Sequence, residues 1–128
     1  MIEVFIDGAS AGNPGPSGAG VFIKTQSDVH RFSFPLPHMT NHEAEYHALI
    51  KALEVCIDKG FKTVSCKTDS LLVEKAVDTR YVKNKLYAPL LEEAVQLIDQ
   101  LDLFFIKWIP EKQNKTADVL ARQAIVRS

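Results

Sequence analysis

With 128 residues, 46% of them hydrophobic and 24% charged, the chain is long enough to bury one core and too evenly mixed for a disordered or fibrous protein. Its net charge of −1 excludes a bulk positive field for gripping polyanions, so any nucleic-acid contact must be local. No apolar run reaches the ~18 residues of a membrane span, and the acid-bearing start MIEVFID lacks the marks of an export signal.

In chain order, Ile2, Val4 and Ile6 alternate with Glu3, Phe5 and Asp7, a strand apolar on both faces, as in a central strand covered on two sides. It is expected to end at Asp7-Gly8. The stretch from Gly8 to Gly20 holds five of the six glycines, with Pro14 and Pro16, and predicts a turn of exposed backbone in place of continued strand. A strand over 19–25 follows. His30, Phe32, Phe34 and Leu36 then share one face, with Arg31 and Ser33 on the other, a half-buried antiparallel strand that Pro35 and Pro37 stop.

Thr40 or Asn41 can cap a helix over 42–59 that closes at Gly60. Residues 63–69 predict a fourth strand, 70–77 a short helix capped by Ser70, and Pro89 the start of a helix to position 100. Residues 103–109 form the fifth strand, where Phe104, Ile106 and Trp108 share a face that reads as core packing. The last helix begins within 114–116 and carries Ala117, Leu120, Ala121 and Ala124 on one stripe, with Arg122, Gln123 and Arg127 off it. Cys56 and Cys66 lie in apolar patterns that suit buried, reduced thiols.

The order is therefore βββαβααβα. A three-stranded meander followed by right-handed crossovers makes the first, fourth and fifth strands parallel neighbours. The expected fold class is α/β, a five-stranded mixed sheet with helices on both faces, forming a single cytoplasmic domain over 1–128.

Asp7 and Asp69 then stand at the C-terminal ends of adjacent parallel strands, the edge where open α/β sheets bind ligands. Glu45 shares its helical stripe with Leu49, Ala52 and Cys56, whereas Glu43, Glu54 and Asp58 do not. No lysine or arginine shares that stripe, so its charge calls for a cation or for hydrogen bonds. Asp118 lies in the first turn of the last helix, where an acid also complements the helix dipole. Each acid has an ordinary structural reading: Asp7 as a turn residue, Asp69 as a cap, Glu45 as a snorkelling surface group. Their convergence is the specific feature. Hard divalent cations choose oxygen ligands, and two ions roughly 4 Å apart activate a water while stabilising the leaving oxygen of a phosphodiester.

The segments DGASAGNPGPSGAG from Asp7, TNHEAEYHAL from Thr40, TDS from Thr68 and WIPEKQNKTADVLA from Trp108 resemble type 1 ribonuclease H in order and spacing along nearly the whole chain. The resemblance implies a ribonuclease H-like fold, with Asp7, Glu45, Asp69 and Asp118 as catalytic ligands of two Mg²⁺ or Mn²⁺ ions. It implies hydrolysis of the RNA strand of an RNA–DNA hybrid by water. Separately, a monomer acting away from membranes is expected. It also implies substrate contacts from Gly12, Asn13, Asn41 and Ser70, with Asn13 and Asn41 facing the minor groove and its 2′-hydroxyls. Read from the residues alone, Asn13 is equally a turn residue and Asn41 equally an N-cap.

Relatives often carry a basic residue before the Gly-Asn of the first turn, a second asparagine after the one matching Asn41, and a glutamine after Asp-Ser. Here those positions are Ala11, His42 and Leu71, and each change removes a polar donor of about 1 kcal/mol. The loop 110–115 has no histidine where the well-known bacterial enzymes carry one, and the modest basic stretch 80–85 stands in place of their helical protrusion. Glu111 reads first as a solvated loop acid and second as an aid to proton transfer. His38 and His42 are not taken as a zinc pair, because Pro37 interrupts any helix through both and no third soft ligand is evident. Two readings follow: an active nuclease, or a catalytically weak or inactive relative that binds nucleic acid or regulates. Converging like charges oppose folding unless a cation meets them, which favours the enzyme.

Overall fold

The computed structural model describes residues 1–127, the Arg127 side chain excepted. Its strands are β1 (Ile2–Ser10), β2 (Gly15–Lys24), β3 (Val29–Met39), β4 (Thr63–Thr68) and β5 (Leu103–Trp108), and its helices α1 (Asn41–Asp58), α2 (Leu71–Thr79), α3 (Ala88–Ile98) and α4 (Lys115–Arg127). The sheet order is β3-β2-β1-β4-β5, antiparallel across the meander and parallel where β4 joins β1 and β5. This is the predicted topology. Among the described residues, no helix is long and apolar enough to cross a membrane.

Local chemistry explains the helix starts. The Thr40 hydroxyl accepts from the Glu43 N–H at 3.3 Å while the Glu43 carboxylate accepts from the Thr40 N–H at 2.9 Å, a reciprocal cap that satisfies two orphan donors. Thr40, not Asn41, is therefore the cap, and the Asn41 side chain is free for other work. The Ser70 hydroxyl accepts from the Val73 N–H at 3.2 Å and starts α2.

Two expectations about strand ends were wrong for related reasons. β1 does not stop at Gly8 but runs to Ser10, and β2 resumes at Gly15, so most of the glycines lie in strands. They are there because helices press on them. A Cβ on Gly8 would sit 2.2 Å from the Ala44 carbonyl carbon in α1, and one on Gly20 would sit 2.1 Å from the Ala117 carbonyl oxygen in α4. Likewise β3 passes through Pro35 and Pro37 to Met39. It is an edge strand, where a missing N–H is tolerated.

Residues pointing to one face of β1, Val4 and Ile6, pack in one core cluster with Leu49, Leu53, Val64 and Cys66. α1 lies on this face, and α4 lies on the opposite one, burying Ala117, Leu120, Ala121 and Ala124 as its stripe predicted. Phe104 and Ile106 pack against the core, but Trp108 is 40% exposed and is not a core residue. Its indole N–H needs an acceptor, and the Asp69 carbonyl supplies one at 3.1 Å at the sheet rim.

The close approach at the two glycines is measurable. Gly8→Ala and Gly20→Ala should each lower the unfolding free energy by about 2–3 kcal/mol or more. Gly60→Ala, at φ +76° with nothing within 4 Å, should cost only about 1–2 kcal/mol. Urea unfolding of the three variants checks this, and equal losses at all three would contradict the packing account.

Candidate active site

β1 and β4 run side by side in a register that pairs Ile6 with Thr68, so the next residues, Asp7 and Asp69, emerge together. Gly8 admits the N-terminal half of α1, which brings Glu45 to the same place. Gly20 is the ladder partner of Asp7 and admits α4, which brings Asp118 from the other side. Four carboxylates from four elements thus line one cleft of about 380 Å³. The structure brings together all four acids singled out in the sequence.

Each is held by donors from the chain. The Glu45 side chain is only 11% exposed; its Oε1 accepts from Asn41 Nδ2 at 2.9 Å, lies 3.4 Å from His42 Nδ1, and the carboxylate is also bonded by the Ser70 side chain. Asp69 Oδ2 accepts from Asn114 Nδ2 at 3.2 Å. Both oxygens of Asp118 accept from Arg122 Nε, at 3.0 and 3.1 Å. For Asp7, burial first, then the charge of Asp69 and the hydrogen bond to Asp118, push the carboxyl up from 3.8 to about 9. At neutral pH it therefore carries a proton. Burial also raises Asp69, with the charge of Glu111 adding to it, and raises Glu45 against the opposing pull of Ser70 and His42.

Among the described residues, no three of these groups are gathered around a point where they would grip one metal ion, since Glu45, Asp69 and Asp118 are each turned to a donor of the protein. The chemistry of the set nonetheless fits a hard divalent cation. All four side chains offer oxygen, a single arginine stands against them, and the proton on Asp7 supplies positive charge that an ion would supply better.

The expected substrate-facing residues divide. Asn41 and Ser70 line the cleft, whereas Gly12 and Asn13 do not. Asn13 is linked to it through its Oδ1, which accepts from the Asn41 N–H at 3.1 Å, tying the first turn to the start of α1. Gly12 sits in that turn at φ +137°, its carbonyl accepting from the Ser10 hydroxyl. Ser70 is buried, at 6% exposure, and serves as helix cap and Glu45 partner. His42, Leu71 and Glu111 also line the cleft, so two of the three departures from the family pattern lie in its wall.

Sequence reasoning missed Asn114. It is 1% exposed, and its Nδ2 donates to the Ile6 carbonyl at 2.8 Å as well as to Asp69, while its own carbonyl accepts from the Asp118 N–H at 3.1 Å. Its side chain thereby ties β1 to Asp69 and its backbone carbonyl ties both to the start of α4, beneath the acids. Nothing in the sequence marks it beyond an asparagine before a helix. The Asp118–Arg122 pair, at i,i+4 on α4, was likewise not read from the sequence.

A mixed sheet in this order, with acids from β1, α1, β4 and α4 at one rim, has the architecture of a ribonuclease H domain. The reverse transcriptase-like family matches residues 5–124. The chain is 41% identical over 127 residues to the EbsB protein of Enterococcus faecalis, covering 98% of this chain and 94% of that one. It is 35% identical over 131 residues to ribonuclease HI of Halobacterium salinarum, covering 97% of this chain and 64% of that relative. The crystal structure of the H. salinarum RNase H1 superimposes with a TM-score of 0.93 at 33% identity, over 99% and 98% of the two chains. LC11-RNase H1 in complex with an RNA/DNA hybrid gives 0.92 at 30% identity, over 99% and 98%. The chain belongs to the type 1 ribonuclease H family.

The proton on Asp7 has a stability signature. With the folded value raised above 3.8 to about 9, the native state holds a proton that the unfolded chain releases, so this residue makes stability fall as pH rises across that window. In melts with EDTA, Asp7→Asn should flatten the slope and raise Tm at pH 7; an unchanged slope would refute it. Asn114→Ala, which strands the half-buried Asp69 and the Ile6 carbonyl, should cost about 2–3 kcal/mol by denaturant unfolding.

Proposed function

We propose that the protein is a metal-dependent endonuclease that hydrolyses the RNA strand of RNA–DNA hybrids, with Asp7, Glu45, Asp69 and Asp118 holding two Mg²⁺ or Mn²⁺ ions. The observation that carries this reading is the convergence of four carboxylates in one cleft with a single arginine among them. A relative of the same fold has been seen on an RNA/DNA hybrid. Bound there, the ions supply an activated water and stabilisation of the charge that develops on the phosphodiester.

The chain's own residues have separable tasks. Asn41 and Ser70 aim Glu45, and Asn114 aims Asp69. To hold an ion, the Asp7 carboxyl would lose its proton to solvent and Asp118 would part from Arg122. On this reading Asn13 and Asn41, joined by a hydrogen bond, touch 2′-hydroxyls across a minor groove. Water is the nucleophile, with no covalent intermediate on the protein. On this reading the 1–128 unit is one domain that works as a monomer in the cytoplasm, where the buried, unbridged Cys56 and Cys66 suit a reducing compartment.

A second reading, a weak or inactive relative that binds nucleic acid or regulates, is favoured by Leu71 and His42 in the cleft wall in place of amide side chains. Cleavage of a labelled hybrid in Mn²⁺ and in Mg²⁺ at low salt separates the two. The nuclease reading expects cleavage that Asp7→Asn lowers at least about a thousandfold, and a rise in Tm when either ion is added. Cleavage in neither ion would move the assignment to the second reading.

A further inference from the structure

The sheet face that α4 occupies is covered only in part, because α4 packs on β1, β2 and β3 and leaves the β4–β5 half bare. Strand register defines what lies there. One row across the sheet is Phe22, Phe5, Lys67 and Lys107; the next is Lys24, Glu3, Ser65 and Phe105. Among these eight residues the one acid is Glu3, which is ion-paired to Lys67 at 3.1 Å.

The face combines two chemistries. Phe5 and Phe22 stand 5.8 Å apart between ring centres, with Lys24 and Lys67 at 5.9 and 5.8 Å from the Phe5 ring and Arg31 at 5.2 Å from that of Phe22. Phe105 is 55% exposed, an uncovered ring in a cationic neighbourhood. Lys112 and Lys115 border the Phe5–Phe22 hollow on the side of α4. A chain of net charge −1 therefore places six of its fifteen lysines and arginines around aromatic rings on this open sheet face.

We propose that this face binds single-stranded nucleic acid, with bases stacking on Phe105 and on the Phe5–Phe22 pair and phosphates lying along Lys24, Lys107 and Lys115. Positive charge selects a polyanion, and rings exposed between the charges select one with unpaired bases, since a duplex keeps its bases stacked on one another. The route from the acidic cleft is short. Glu111 and Asp118 line the cleft while Lys112 and Lys115 border this face, so one segment separates them, and a strand leaving the cleft reaches the lysines by crossing it.

The binding rests on this face alone and is measured without metal, so it stands or falls separately from the nuclease reading. Fluorescence anisotropy of labelled 12-nucleotide oligouridylate and oligothymidylate in EDTA at low salt should show binding that weakens as salt rises. Phe105→Ala should raise Kd about tenfold, and Lys107→Glu and Lys24→Glu should each do at least as much, while cleavage of a blunt hybrid stays within about twofold of wild type. Both Phe105 and Lys107 are on the surface, so folded variants are expected, and circular dichroism checks this. Stronger binding of one oligonucleotide identifies RNA or DNA as the ligand. Absence of binding, or binding that the three substitutions leave unchanged, would overturn the proposal, as would a concentration-dependent dimer disrupted by the same changes, which would make the face a contact between copies of this chain.

Discussion

How closely a helix can approach a strand is limited by the first carbon of the side chains between them, and in this protein that limit has been lifted on both faces of the sheet. Gly8 points to α1 and Gly20, the ladder partner of Asp7, points to α4. Both helices come so near that a methyl group would overlap backbone atoms. Asp7 is bracketed by these two contacts, and Glu45 and Asp118 arrive with the helices. Without the close approach, four acids drawn from distant parts of the chain would be spread over a rim instead of sharing a cleft.

Proximity of like charge then sets the electrostatics. Three of the acids are met by neutral or cationic donors, and the fourth keeps its proton. Arg122 and Asn41 are exposed and can turn away, whereas Asn114 beneath is fixed by burial and by bonds to Ile6 and Asp69. The exposed donors and the buried one thus differ in freedom, a difference suited to a site that must open toward its ligand while its floor stays rigid.

The sequence was a good guide wherever period or spacing controls the outcome. The alternation in β1, the 3.6-residue stripe of α1 carrying Glu45, and the apolar stripe of α4 all survive in the fold. It misled where a residue acts through tertiary contact. Glycines taken as turn formers proved to be strand residues under helices, Pro35 and Pro37 were tolerated because β3 lies at an edge, and Trp108 left the core to reach the Asp69 carbonyl. Asn114 gave no signal because its importance comes from the Ile6 carbonyl and the Asp69 carboxylate, 108 and 45 residues away along the chain.

The prolines of β3 also make the two edges of the sheet unequal. On that side, two residues offer no N–H to an incoming strand, which blunts the edge against addition of another chain. The far edge is LFFIKW of β5, free of proline, with Leu103 and Phe105 uncovered and one lysine in the run. Short apolar strands of this kind template aggregation unless a charge interrupts them. Lys107 thus doubles as a gatekeeper: whatever it contacts on the sheet face, its charge also keeps concentrated molecules from joining edge to edge through β5.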